Sequence, residues 1–84
     1  MEKPEKLPVS EKLEVIEYQT LYKTNKWWAA IALINSFGRK QIALYVWLNK
    51  DNKWKRNQKF TIHNRSEWEK IKEITEKYIT QLNP

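Results

Sequence analysis

The chain has 84 residues, with 16 Lys+Arg against 10 Asp+Glu for a formal net charge of +6, one His, five Trp and no Cys. That length is one domain with a small core, and the inventory removes disulfide frameworks, thiol nucleophiles and thiolate metal sites, so neither metal nor cofactor is expected. A charged fraction of 31% beside an aromatic fraction of 13% excludes a disordered chain, because disordered chains are charged but poor in aromatics.

No apolar stretch approaches the ~18 residues of a membrane span, and Met1-Glu2-Lys3-Pro4-Glu5-Lys6 lacks the apolar run of a signal peptide. These features predict a soluble intracellular protein of the cytoplasm or nucleoid, or of the nucleus in a eukaryote, with no membrane partner. Charge is concentrated in the middle of the chain. Residues 1–17 carry five Glu and three Lys, residues 18–65 carry ten Lys+Arg and one Asp, and residues 66–84 carry four Glu and three Lys. Nine of the eleven aromatics share the basic stretch: Tyr18, Tyr22, Trp27, Trp28, Phe37, Tyr45, Trp47, Trp54 and Phe60. Basic side chains among aromatics compose a surface that holds phosphates and stacks bases. A solvated basic sheet over an aromatic core has the same composition.

Residues 1–10, with Pro4, Pro8 and Ser10 among charges, show no periodicity and read as a flexible N-terminal arm before a single domain at 11–84. From Lys12 to Lys23 the apolar residues alternate imperfectly, which predicts a strand with a bulge or strong twist. Thr24-Asn25 supplies a turn. Lys26 to Phe37 is a long strand-compatible run whose three alanines also suit a helix. Phe37-Gly38-Arg39-Lys40 holds the only glycine, at a hairpin tip that needs φ > 0.

From Gln41 to Lys50 the alternation is clean, with Ile42, Leu44, Val46 and Leu48 on one face and Gln41, Ala43, Tyr45, Trp47 and Asn49 on the other. Asn49-Lys50-Asp51-Asn52 is a polar turn. Lys53 to His63 alternates again, placing Trp54, Phe60 and Ile62 on one side and Lys53, Lys55, Lys59 and Thr61 on the other. At Ser66-Glu67-Trp68-Glu69 a capping box opens a helix whose apolar arc, Trp68, Ile71, Ile74, Tyr78, Ile79 and Leu82, spans roughly 140°. The fold class is thus α+β, a four-stranded antiparallel meander and one C-terminal helix, ββββα. One sheet needs a stripe of only ~100°, so the arc predicts a homodimer packed through Trp68, Ile71, Ile74, Tyr78 and Ile79.

These residues resemble the positive cofactor four family of single-stranded-DNA-binding transcriptional coactivators. The likeness spans roughly residues 26 to 80: a strand into Phe37-Gly38-Arg39-Lys40, the strand Ile42-Ala43-Leu44-Tyr45-Val46-Trp47, the basic segment Lys53-Trp54-Lys55-Arg56-Asn57-Gln58-Lys59, and a helix opening Ser66-Glu67-Trp68. It implies a curved sheet, a dimer made largely by the helices, and channels over the sheets that take single-stranded or melted DNA with little sequence preference. Service in transcription, DNA repair or replication is implied with it. The family's hairpin-tip aromatic falls on Phe37, its next basic residue on Lys40, its strand-end aromatic on Trp47, its basic cluster on Lys55, Arg56 and Lys59, and its helix-start Trp on Trp68. Two departures are visible. Gly38 precedes Arg39-Lys40 rather than lying between two basic residues, and no long Ser-rich region is present, so the chain looks like a minimal prokaryotic or archaeal-type member.

For the residues themselves, Arg39, Lys40, Lys53, Lys55, Arg56 and Lys59 are expected to neutralise phosphates, and Phe37, Tyr45 and Trp47 to stack bases. Trp27 and Trp28 must face opposite ways, one of them a platform or an interface residue. Trp54 is expected in the core, and Trp68 in the core or dimer interface. With one His and a single Asp in a turn, no acid/base pair is visible, and the chain is not expected to be an enzyme. An interaction module of the transcription or replication machinery, meeting transcription or repair proteins and binding DNA or RNA only incidentally, is the alternative.

Overall fold

A computed structural model describes residues 7–9 and 12–82. The elements are β1 (Glu14–Lys23), β2 (Trp27–Ser36), β3 (Arg39–Lys50), β4 (Lys53–Ile62) and α1 (Arg65–Ile79). The strands form one antiparallel meander, β1-β2-β3-β4, so the ββββα order read from the periodicities is the fold. The irregular alternation of β1 has its cause in two register shifts, between Val15 and Glu17 and between Thr20 and Tyr22. The alanines of β2 lie in a strand, because each pairs on both sides, Ala30 for example with Thr20 and with Tyr45.

Of the three hairpins, the two with two-residue tips share a geometry and differ in composition. Phe37 (φ 52°) and Gly38 (φ 81°) link Ser36 to Arg39, and Asp51 (φ 52°) and Asn52 (φ 64°) link Lys50 to Lys53. Both are two-residue loops with φ > 0 at each central position, the twist-matched hairpin turn. Asp and Asn tolerate that region, whereas a bulky aromatic there is an outlier.

The sheet buries one face and leaves the other half open. On the closed face Trp28, Ala30, Ala32 and Ile34 of β2 lie beside Ala43, Tyr45 and Trp47 of β3. Trp28 and Trp47 are tilted at 5.1 Å between ring centroids, and Tyr45 stacks on Trp47 at 5.0 Å and 11°. The alanines leave room between the rings, and Leu7 fills part of it at 4% exposure, with Val9, Leu13, Val15, Tyr18 and Trp54 packed around the cluster. This corrects the arm expectation at residues 7–9, where Leu7 is seated on the sheet; residues 1–6 and 10 lie outside the described residues.

A second correction concerns β4. Opposite Val46 and Trp47 sit Gln58 and Arg56, so Asn57 is an extra residue that reverses the alternation. Trp54, Arg56, Lys59 and Thr61 therefore share the aromatic face, whereas Lys53, Lys55, Gln58, Phe60 and Ile62 share the aliphatic one. The grouping of Trp54 with Phe60 and Ile62, and of Lys59 with Lys53 and Lys55, is thereby undone.

The helix begins two residues earlier than the Ser66 box. Asn64 is the N-cap, its Oδ1 accepting from the Glu67 N–H at 2.8 Å, while the Glu67 carboxylate accepts from the His63 N–H at 2.8 Å. The reciprocal bond from the fourth residue of the motif satisfies a second otherwise orphaned donor. Among the described elements the helix packs only against β4, and none of its residues is buried; Trp68, Ile74, Tyr78 and Ile79 are exposed. Above it on the sheet, Ile31, Ile42 and Phe60 are exposed and Leu33, Leu44, Val46 and Leu48 half-buried. Among the described residues the helix thus leaves the aliphatic face open. Among the described residues no helix is long and apolar enough to cross a membrane.

Candidate nucleic-acid interface

A groove of about 520 Å³ runs along the aromatic face beside the Phe37-Gly38 tip, lined by Pro8, Val9, Lys12, Leu13, Ser36, Phe37, Tyr45, Arg56 and Lys59. Its wall is cationic because the extra residue at Asn57 puts Arg56 and Lys59, which strict alternation would separate, on one side. The Lys59 ammonium lies 5.4 Å from the Tyr45 ring centroid, a cation–π placement that keeps the charge next to an aromatic surface. At the far end of the same face the Lys23 ammonium sits 4.0 Å from the Trp28 ring centroid and 5.7 Å from that of Trp54. The Trp28 indole N–H donates to Thr20 Oγ1 at 3.1 Å.

Phe37 is 104% exposed, in left-handed backbone, at the mouth of this groove. Two unfavourable terms coincide there, an aromatic ring wholly in water and a bulky residue at φ 52°, the pattern expected where backbone strain is kept for function. Beside Gly38 a built Cβ would meet nothing within 4 Å, so that glycine answers to φ +81° and not to space.

The structure brings together Phe37, Tyr45, Arg56 and Lys59 and separates the rest of the expected set. Arg39 pairs with Ser36 and shares the aromatic face by register, whereas Lys40 lines a second groove, of about 310 Å³, with Leu33, Gln41, Ile42, Ile62, His63, Asn64, Arg65 and Trp68. Lys55 stands opposite Leu48, and Lys53 opposite Lys50, on the aliphatic side. Tyr45 and Trp47 are 2% and 0% exposed, so the expectation of open stacking faces is corrected: the two rings stack on each other and lie in one buried cluster with Trp28 and Leu7. Of the adjacent tryptophans, Trp28 is buried and Trp27 half-buried opposite Leu48. Trp54 packs on the core cluster, and Trp68 lies 44% exposed. Lys12, Pro8 and Val9 are groove residues that the sequence reading missed, since an aperiodic segment carries no signal of what it touches.

Beside the second groove the Glu67 carboxyl is held below its usual range, first by the backbone N–H of His63, with the His63 ring at 3.2 Å adding to it. Compared with protein-family models, curated proteins and solved structures, the chain matches none.

Proposed function

We propose that the chain is a binding protein for single-stranded nucleic acid, not an enzyme, and that the groove on the aromatic face is where the strand lies. The observation that carries this reading is the conjunction at one groove of a fully exposed, strained Phe37 with Arg56 and Lys59. A ring free on both faces stacks any base, worth about 1–3 kcal/mol, and cations beside it hold the flanking phosphates. Sequence preference would be small, since stacking on a ring and phosphate contacts from Lys and Arg read no base edge. Duplex readout is disfavoured, because the helix alternates Glu69, Glu73 and Glu76 with Lys70, Lys72 and Lys77 and suits neither a major groove nor its phosphates.

Membership in the positive cofactor four family belongs to the same proposal, supported by the ββββα order and by the position of Phe37 at the tip. So does a homodimer. The open aliphatic face and the helix carrying Trp68, Ile71, Ile74, Tyr78 and Ile79 leave large apolar side chains uncovered, and a second copy presents the same surface in return. Work on strands exposed in transcription, repair or replication follows from this reading.

The test is an anisotropy titration of labelled dT oligonucleotide and of a matched duplex at two salt concentrations. Single-strand binding much tighter than duplex binding, with a log–log salt slope of about −0.7 per phosphate neutralised, is expected. Equal binding of both forms, or a flat salt dependence, would overturn it.

A further inference from the structure

We infer that Leu7 occupies, in cis, a base-stacking seat on the Trp28, Tyr45 and Trp47 floor, so that a single strand reaches this floor only by displacing Leu7–Val9. The inference rests on the single-strand reading above and adds an intramolecular competitor to it. Three observations converge on the seat. The floor is a preformed aromatic surface, Tyr45 parallel to Trp47 and Trp28 tilted against it, of the kind on which bases stack. Its occupant, Leu7, is an aliphatic side chain at 4% exposure that comes from outside the sheet. The Trp47 indole N–H is wholly buried and, among the described residues, has no acceptor, whereas the Trp28 indole beside it donates to Thr20. A buried donor of this kind is normally paired, and Leu7 offers no side-chain acceptor.

The cover is also separable from the sheet. Among the described residues, the one backbone–backbone hydrogen bond of residues 7–9 is internal, from the Val9 N–H to the Leu7 carbonyl at 2.8 Å. Nothing in that bond has to break for the segment to leave. The groove already adjoins this segment, because Pro8 and Val9 line it together with Tyr45, Arg56 and Lys59. A strand held at Phe37 and on the cations of Arg56 and Lys59 therefore lies against the margin of the cover. Displacement costs Leu7 its burial, so apparent affinity is lowered in proportion to the fraction of molecules that are covered.

The test uses the full-length chain and a dT oligonucleotide as probe. Leu7→Ser weakens the cover, and a bimane label on Val9→Cys, in a chain with no other cysteine, reports its distance from the quenching rings. If Leu7→Ser keeps the far-UV circular dichroism of the parent, it should bind dT on the order of tenfold tighter, and the bimane should brighten over the same dT range that saturates anisotropy. Equal or weaker binding by folded Leu7→Ser, with bimane fluorescence unmoved while dT binds, would overturn the cover and leave the single-strand reading standing. If Leu7→Ser does not fold, the bimane response to dT decides the matter in the same sense. Absence of dT binding by both chains removes the single-strand reading itself and the cover with it.

Discussion

The two faces of this sheet are built from the same four strands and have opposite fates. On one, rings stack over alanines and close around Leu7, and Trp47 has no exposed surface. The other is a field of Ile, Leu, Val and Phe60 that stays half open, with a helix resting only on its β4 edge. The face with the stronger aliphatic pattern is the less covered one. What decides is the supply of covering groups among the described residues: the aromatic face meets Leu7, Val9 and Leu13, and the aliphatic face meets only the helix start.

Truncation on the closed face gives the largest effect with which to break this comparison. Trp47→Ala should cost about 3–5 kcal/mol of stability, most of what an 84-residue domain has, and urea or thermal unfolding reads it. A loss below about 1 kcal/mol would mean that the aromatic face is not the core. Phe37→Ala comes next, and it separates binding from stability. Single-strand affinity should fall by about 1–3 kcal/mol while the fold loses nothing, and Phe37→Asn should raise the unfolding midpoint because it relieves the left-handed backbone. Unchanged dT affinity in both variants would remove Phe37 from the interface.

On the open face, Ile31→Lys sharpens the contrast. Within one chain it should change stability by no more than about 0.5 kcal/mol, since the side chain is already exposed. In a dimer covering that face it should convert the assembly to monomers, as sedimentation would show. The most local effects are those at the helix cap. Asn64→Ala should cost about 1 kcal/mol and Ser66→Ala almost nothing, because Asn64 makes the capping bond. The Glu67 carboxyl has a lowered pKa in the folded state, so its contribution is whole above the usual 4.5 and is lost as pH falls through the lowered value. Helix ellipticity followed downward from pH 5 checks that sign, and Glu67→Gln should flatten the profile.

Strand order, both tight tips and the helix were legible because each writes a period or a φ requirement into consecutive residues. Alternation shows which residues share a face, but not which face another part of the chain covers, and so Tyr45 and Trp47 read as exposed. A bulge of one residue, Asn57, leaves no mark in composition, yet it moves Trp54 across the sheet and parts Lys59 from Lys55. At the helix start, Asn64-Arg65-Ser66-Glu67 and Ser66-Glu67-Trp68-Glu69 both fit a capping box. The end of β4 at Ile62 decides between them by placing the His63 N–H within reach of Glu67. Leu7 was illegible for a different reason: a single apolar residue between prolines has no period from which to infer a seat.

The bulge supplies the most direct measurement. Lys55 and Lys59 are four residues apart, equal in charge and both exposed, and they stand on opposite faces. If single strands lie in the aromatic-face groove, Lys59→Gln should weaken dT binding and reduce the salt slope by about 0.7, while Lys55→Gln leaves both unchanged. Equal losses from the two variants, or a larger loss from Lys55→Gln, would contradict the assignment of the strand to this face.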